Sequence, residues 1–233
     1  MKKKITVLTG AGISAESGIN TFRDAGGLWE GHDVMEVASP QGFAKNPELV
    51  LNFYNQRRKQ LHEVSPNIAH KALVELEDFF EVTIVTQNVD DLHERAGSSN
   101  VIHIHGELLK VRSTKYENEV IPWSNDLNLG DCCNKGHQLR PHIVWFGEAV
   151  PLLEQAAIAT QNADVVIIIG TSMQVYPAAS LIDYAQSDIP IYFVDPKPNV
   201  SKNNYDNLTV IAKTAVQGIP KLVTELIATI QEN

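Results

Sequence analysis

The sequence predicts an α/β protein, a doubly wound parallel sheet with a smaller inserted domain, and three observations predict it. Short apolar runs rich in β-branched residues alternate with longer stretches that suit helices over most of the 233 residues. The first run opens directly onto a glycine turn, Gly10-Ala11-Gly12, as a strand does when it feeds a ligand loop at the edge of such a sheet. Between Leu108 and Pro141 the rhythm stops. Periodicity is poor there and Asn, Asp, Gly and Lys are frequent, which marks an inserted module.

Taken in order, Ile5 to Leu8 reads as a buried strand. The residues after it, Gly10-Ala11-Gly12-Ile13-Ser14-Ala15, have the G-x-G-x-x-A form of a dinucleotide turn, so the sheet is expected to be Rossmann-like. In that form the first glycine permits the turn and the second permits close approach to a pyrophosphate. The small third residue packs helix on strand, and a helix starting near Ser14 aims its free N–H groups at phosphate. The same glycines serve a bare strand-to-helix turn equally well. Residues 30–46 read as loop. Asn46 caps and Pro47 opens a helix to about Glu63. Ser65-Pro66 opens a second, to about Phe80. Strands follow at Val82 to Thr86 and Val101 to Ile104. After the module come a strand from Ala163 to Ile169, a helix from Pro177 to Gln186, and strands at Ile191 to Val194 and Leu208 to Ala212. An amphipathic helix from Ile219 to Gln231 ends the chain.

Composition narrows the function. Apolar content of 43% suits one globular domain, and a net charge of −9 without long runs of one sign argues against nucleic acid as a partner. The two cysteines are adjacent, Cys132-Cys133, which excludes a disulfide framework and favours a reducing compartment. The Met1-Lys2-Lys3-Lys4 start is followed too soon by glycine for a signal peptide, and no run approaches the ~18 apolar residues of a membrane span. A cytoplasmic monomer with no membrane partner is expected.

Four further blocks carry polar chemistry at predicted strand ends. Gln87-Asn88-Val89-Asp90-Asp91 offers hydrogen bonds for a sugar and an amide, or a helix cap. His103-Ile104-His105-Gly106 offers an imidazole that takes a proton near pH 7, or a structural histidine; Glu107 is the only close acidic neighbour for a metal pair. Gly170-Thr171-Ser172 suits phosphate or ribose. Asp195 follows the next strand. Tyr54 and Arg57 lie three apart and share a helix face, where they could grip a carboxylate or, with Arg58 and Lys59, form a solvated basic stripe. A dehydrogenase is disfavoured, because no strand leads to an acidic residue ~20 positions after the glycine turn.

Residues Lys4 to Trp29, with these blocks in this order, closely resemble the sirtuins, NAD-dependent protein deacylases. The resemblance spans nearly the whole chain and implies a single catalytic domain. Its large lobe would take about 1–30, 66–107 and 142–233, and its small lobe 31–65 and 108–141. It implies that Gly10, Ala11, Gly12, Ala15, Glu16, Thr21, Phe22, Arg23 and Trp29 hold NAD, with Phe22 and Arg23 in a covering loop. Gln87, Asn88 and Asp90 would line the nicotinamide pocket. Gly170, Thr171, Ser172, Asp195 and Ala215 would face the rest of the nucleotide, Asp195 standing where the family commonly has asparagine. His105 would be the catalytic base, and the substrate an acylated lysine in a protein. Val144 and Phe146 would wall the acyl tunnel, while Gly147 and Glu148 pair with substrate backbone. Tyr54 and Arg57 would select succinyl and malonyl groups, alongside acetyl. By the same likeness, the acyl oxygen attacks C1′ of the NAD ribose and expels nicotinamide, the acyl carbon becomes bonded to the 2′ oxygen, and water completes release of free lysine and O-acyl-ADP-ribose. Sirtuins usually carry two Cys-x-x-Cys pairs for zinc. Here Ser113-Thr114-Lys115-Tyr116 and Cys132-Cys133-Asn134-Lys135 stand instead, so no metal is expected even with His137 near, and Tyr116, Ile121 and Trp123 are expected to hold the module by packing. The alternatives are an ADP-ribosyltransferase on the same fold and a non-catalytic NAD or ADP-ribose binding module.

Overall fold

A computed structural model describes residues 2–20, 28–29, 31–199 and 205–231. Its elements, in chain order, are β1 (Lys4–Thr9), β2 (Leu28–Trp29), β3 (His32–Asp33), α1 (Val34–Val37), α2 (Pro40–Lys45), α3 (Pro47–Glu63), α4 (Ile68–Glu75), β4 (Glu81–Thr86), α5 (Leu92–Ala96), β5 (Val101–His103) and β6 (Gly106–Ser113). Then follow β7 (Val120–Pro122), β8 (Leu139–Ile143), α6 (Leu153–Gln161), β9 (Val165–Ile169), β10 (Ile191–Val194), β11 (Leu208–Ile211) and α7 (Ala215–Gln231).

Six strands form one parallel sheet in the order β11-β10-β9-β1-β4-β5. The chain builds outward from β1 through β4 and β5, then restarts beside β1 with β9. The order therefore reverses at β1, and a doubly wound sheet opens a crevice beyond its strand ends at such a switch point. All five residues of β9, Val-Val-Ile-Ile-Ile, are buried because helices cover both faces. One core layer sets Ile5, Val7 and Ile84 against Leu73 of α4 and Ile219 and Leu222 of α7. The other sets Leu8, Val85 and Ile168 against Ala156 of α6 and Leu181.

The segment from β6 to β8 leaves this sheet and forms an antiparallel one of its own, in the order β7-β6-β8. Gly106 makes the exit. Its φ is +85°, and a Cβ there would lie 2.0 Å from the His142 oxygen. Helix α3 packs on this smaller sheet through Val50, Phe53, Tyr54 and Leu61, which meet Leu108, Ile143 and Trp145.

Several elements differ from expectation. Instead of a helix at Ser14, two 3₁₀ turns cover Ala11–Ile13 and Ala15–Ser17. Gly18, at φ +101°, ends the second, and Asn67 Nδ2 takes the Ile13 carbonyl at 2.8 Å that a continuing helix would use. Residues 30–46 contain two short helices, each capped by a side chain, Asp33 to the Met35 N–H and Ser39 to the Gly42 N–H. Helix α4 starts after Asn67, not Ser65, because the Asn67 side chain accepts the Ala69 N–H and His70 completes a capping box. The stretch Ala178–Tyr184 is 3₁₀, not α. Among the described residues, no helix is long and apolar enough to cross a membrane.

Candidate functional site

The C-terminal ends of β1, β4, β9 and β10, and the turn after β5, open on one cavity of about 800 Å³. Gly10, Ala11, Gly12, Ala15 and Glu16 line it after β1. The Gly12 N–H donates to the Gly170 carbonyl at 2.8 Å, and a Cβ on Gly12 would come within 2.5 Å of Gly170 Cα. The second glycine of the turn is thus required by contact between the β1 and β9 loops, a cause that neither the pyrophosphate reading nor the bare-turn reading of the sequence contained. Glu16 also accepts the Val216 N–H at the start of α7, 3.3 Å away. Trp29 lines the cavity. Thr21, Phe22 and Arg23 fall outside the described residues.

After β4, Gln87, Asn88 and Asp90 all line the cavity. Gln87 Nε2 donates to Thr171 Oγ1 at 3.1 Å and so ties the β4 loop to the β9 loop. Asn88 Nδ2 donates to Ser14 Oγ at 3.2 Å, and Ser14 Oγ donates to Asp90 Oδ2 at 3.0 Å. The other Asp90 oxygen accepts the Leu92 N–H at the start of α5. Asp90 thus both lines the cavity and holds the first N–H of α5, although Asp91 occupies the cap position itself. Burial pushes the Asp90 carboxyl up to about 6, against the pull of these two donors. Gly170, Thr171 and Ser172 line the cavity after β9, and Asp195 after β10. The Asp195 carboxylate is buried and accepts the Lys197 N–H at 2.8 Å. Ala215 departs from expectation. It is the first residue of α7 and is buried in the core, and its neighbour Thr214 lines the cavity instead.

Two histidines at the end of β5 hold successive carbonyls of the same loop. His105 Nδ1 lies 3.1 Å from the Gln87 oxygen, and His103 Nδ1 lies 3.1 Å from the Asn88 oxygen. A carbonyl only accepts, so Nδ1 of each ring carries hydrogen. For His105, which lines the cavity, the lone pair is then on Nε2. Burial lowers its pKa, only partly countered by the Gln87 contact, so the ring is a neutral base at pH 7. His103 is different. Its Nε2 meets Glu94 Oε1 at 2.6 Å, a second pure acceptor. Burial opposes charge on His103, but Glu94 outweighs it and the net shift is upward, towards imidazolium. The acidic partner is Glu94, on α5, and not the nearby Glu107.

The opposite wall comes from α3 and the chain after β8. Tyr54, Arg57, Val144, Phe146, Gly147 and Glu148 all line the cavity. Tyr54 is wholly buried and its hydroxyl accepts the Trp145 indole N–H at 2.9 Å. The basic-stripe alternative fails at Arg58, which is 1% exposed and donates to the Leu108 carbonyl and to Asn55. Strand β8 stops at Ile143, so Trp145 and Phe146 are not in a strand. The Val144 N–H donates to the His105 carbonyl and the Phe146 N–H to the Ala38 carbonyl. The N–H half of the backbone pairing expected of Glu148 is taken up within the protein. Its N–H already closes a turn onto the Trp145 carbonyl at 3.0 Å. Its carboxylate instead accepts from Arg140 at 2.6 and 3.1 Å, from Arg112 at 3.1 Å and from the Trp145 N–H at 2.8 Å. Burial raises the Glu148 pKa, but Arg140 and the Trp145 N–H outweigh it and keep the group ionised. Glu148→Ala would strand two buried guanidinium groups, so a loss of about 3–5 kcal/mol is expected, seen as a melting temperature lower by about 10 °C.

The degenerate metal module folds around an apolar cluster of Leu51, Val111, Leu127, Cys133 and Leu139, with Ile121 and Trp123 packed against it. Tyr116 lies apart, edge-to-face with His137 and under Lys135. Ser113 Oγ accepts the N–H groups of Lys115 and Tyr116, and Cys133 Sγ lies 3.5 Å away. Cys133 is buried while Cys132 is exposed. One buried thiol beside a hydroxyl already engaged by two amides does not fit a four-ligand zinc site.

Sequence reasoning missed Ser14, Glu94, Arg112 and Thr214. Ser14 acts through Asp90 and Arg112 through Glu148, both far along the chain; Glu94 meets His103 from a different element, and Thr214 sits one place from Ala215.

Comparison with known proteins agrees with this geometry. A model of the Sir2 family matches residues 10–177. The chain is 61% identical over 227 residues to a protein of Helicobacter pylori named NAD-dependent protein deacylase, covering 97% of this chain and 98% of that one. It superposes on a Sir2 homologue bound to ADP-ribose with a TM-score of 0.90 and 40% identity, covering 100% of this chain and 95% of the other. On a Sir2 homologue bound to NAD the TM-score is 0.87 at 40% identity, with coverage of 98% and 91%. With the glycine turn, the two polar loops and a neutral histidine gathered on one cavity, the chain belongs to the Sir2 family.

Proposed function

We propose that this NAD-dependent protein deacylase takes lysine bearing acidic acyl groups, succinyl and malonyl, with acetyl as a lesser substrate. The observation that carries the reading is that Tyr54 and Arg57 line the same cavity as His105. A guanidinium offers two parallel donors to a carboxylate, and a phenol adds a third. Val144 and Phe146 on the same wall are apolar and suit the lysine stem.

When bound, NAD supplies the ribose carbon from which nicotinamide departs. The residues that would hold it are those of the β1, β4, β9 and β10 loops: Gly10, Ala11, Gly12, Ala15, Glu16, Trp29, Gln87, Asn88, Asp90, Gly170, Thr171, Ser172 and Asp195. They fit a dinucleotide, because the two glycine loops leave backbone rather than side chains at the sheet edge, with buried polar groups beside it. His105 serves as general base, taking a proton at Nε2 while the Gln87 carbonyl holds Nδ1–H and fixes the ring. The peptide lies along 144–148, and Gly147 is exposed and open there for backbone contact.

The test is kcat/KM for one peptide carrying succinyl-, malonyl- or acetyl-lysine, with NAD. The acidic acyl groups should be the better substrates; an acetyl peptide turned over equally well or better rejects the preference. The enzyme is also proposed to work without zinc as a cytoplasmic monomer. Purified protein soaked in zinc should bind well below one equivalent, and a chelator should leave its rate and melting temperature unchanged. Tight one-to-one binding would refute this.

A further inference from the structure

We propose that Trp145 sets acyl-group specificity: its indole N–H fixes the Tyr54 hydroxyl so that its hydrogen is presented to the carboxylate of an acidic acyl group. This rests on the acidic-acyl reading above and deepens it.

The argument starts from donor chemistry. An indole nitrogen donates and never accepts. Trp145 Nε1 lies 2.9 Å from Tyr54 Oη, so the phenol oxygen accepts there and its own hydrogen must point elsewhere. Tyr54 shares the cavity wall with Arg57, one helical turn along α3. Burial raises the Tyr54 pKa, so the phenol keeps its hydrogen throughout the neutral range. Such a hydroxyl can donate to a carboxylate and has nothing to donate to on an acetyl methyl.

Trp145 is itself held in place from several directions. The Arg140 guanidinium lies 3.3 Å from the centroid of its ring, and Phe43 packs 5.3 Å away. Its backbone N–H donates to Glu148, the carboxylate that also receives Arg140 and Arg112. Carboxylate, guanidinium, indole and phenol therefore run in one line from the small sheet to the cavity. The line is also unbalanced in charge. Two guanidinium groups, 6% and 7% exposed, share the single Glu148 carboxylate, which leaves a positive excess behind the wall. That excess favours an anionic acyl end over a neutral one.

The bland alternative is a core tryptophan that merely satisfies its N–H. Trp145→Phe separates the two in combination with Tyr54→Phe, because it keeps an aromatic ring under Arg140 while removing the N–H donor, and any effect of the lost ring volume alone persists in the Tyr54→Phe background. We would measure kcat/KM on succinyl- and acetyl-lysine peptides for the wild type, Trp145→Phe, Tyr54→Phe and the double variant. One neutral hydrogen bond corresponds to about a three- to tenfold fall in the succinyl-to-acetyl ratio of Trp145→Phe. In the Tyr54→Phe background the same substitution should change the ratio no further, since the hydroxyl it orients is gone. An unchanged ratio in Trp145→Phe, or effects that multiply independently, overturns the inference while leaving the acyl preference standing. A wild type with no preference for succinyl overturns both. Should Trp145→Phe fail to fold, 3-benzothienylalanine at position 145 keeps the indole shape without the N–H, and the same ratio shift is expected.

Discussion

His105→Ala should lower kcat for every acyl peptide by about 10²–10⁴-fold while the protein melts close to the wild-type temperature. The size follows from the role: the ring is the neutral base that lines the cavity, and its Nε2 lone pair is left free by the Gln87 contact. Stability should change little, because the His105 ring is held through its contact with the Gln87 carbonyl and lies at the cavity edge rather than in the core. The pH profile adds a second check. Burial lowers the pKa of His105, so the base form persists below the ordinary imidazole range. Activity should therefore hold as pH falls through 6.5 and decline only at lower pH. A limb at or above 6.5 would mean that another group titrates in the rate. His103, whose shift is upward, is the nearest such group.

Arg57→Met should cut kcat/KM for succinyl and malonyl peptides by about ten- to a hundredfold, the worth of a charge-assisted hydrogen bond. Deacetylation should stay within a few-fold of wild type, since methionine keeps the length and apolar body of the arginine stem. Most of the loss should fall on KM if Arg57 holds the acyl end equally in ground and transition states. Equal losses on acetyl and succinyl peptides would place Arg57 in general peptide or nucleotide binding and remove the carboxylate grip. The contrast with Arg58 sharpens the test. Arg58 is buried under α3 with donors committed to Leu108 and Asn55, so Arg58→Met should cost stability rather than selectivity.

How much of this was legible in the sequence depends on how far each cause reaches along the chain. Helix α3 was readable to the residue because Asn46 and Pro47 are local start signals whose effect acts within one turn. Strand β10 was equally plain as a short apolar run. The helix expected at Ser14 was misread because its competitor is remote: the Ile13 carbonyl is taken by Asn67, and Ser14 is drawn to Asp90. The site followed the same rule. His105 was identified by the glycine after it and by family likeness, whereas the charge state of His103 depends on Glu94, nine residues back and on another element. For Glu148 the motif suggested backbone contact with substrate and nothing of its side chain. Its carboxylate in fact belongs to Arg112 and Arg140, which only the antiparallel pairing of β6 and β8 brings together. The loss of the metal cysteines was visible in the sequence. The apolar cluster around Leu127 and Leu139 that fills the module was not, since Leu51 reaches it from α3.

The central claim is that the acyl group leaves lysine for the sugar of NAD under the action of His105. Mass spectrometry of all products from one succinyl-lysine peptide and NAD tests it most directly. Free-lysine peptide, nicotinamide and O-succinyl-ADP-ribose should appear in equal amounts, and O-succinyl-ADP-ribose should form about 10²–10⁴-fold more slowly with His105→Ala. A peptide that keeps its succinyl group and gains ADP-ribose, or nicotinamide released without any peptide, would contradict it.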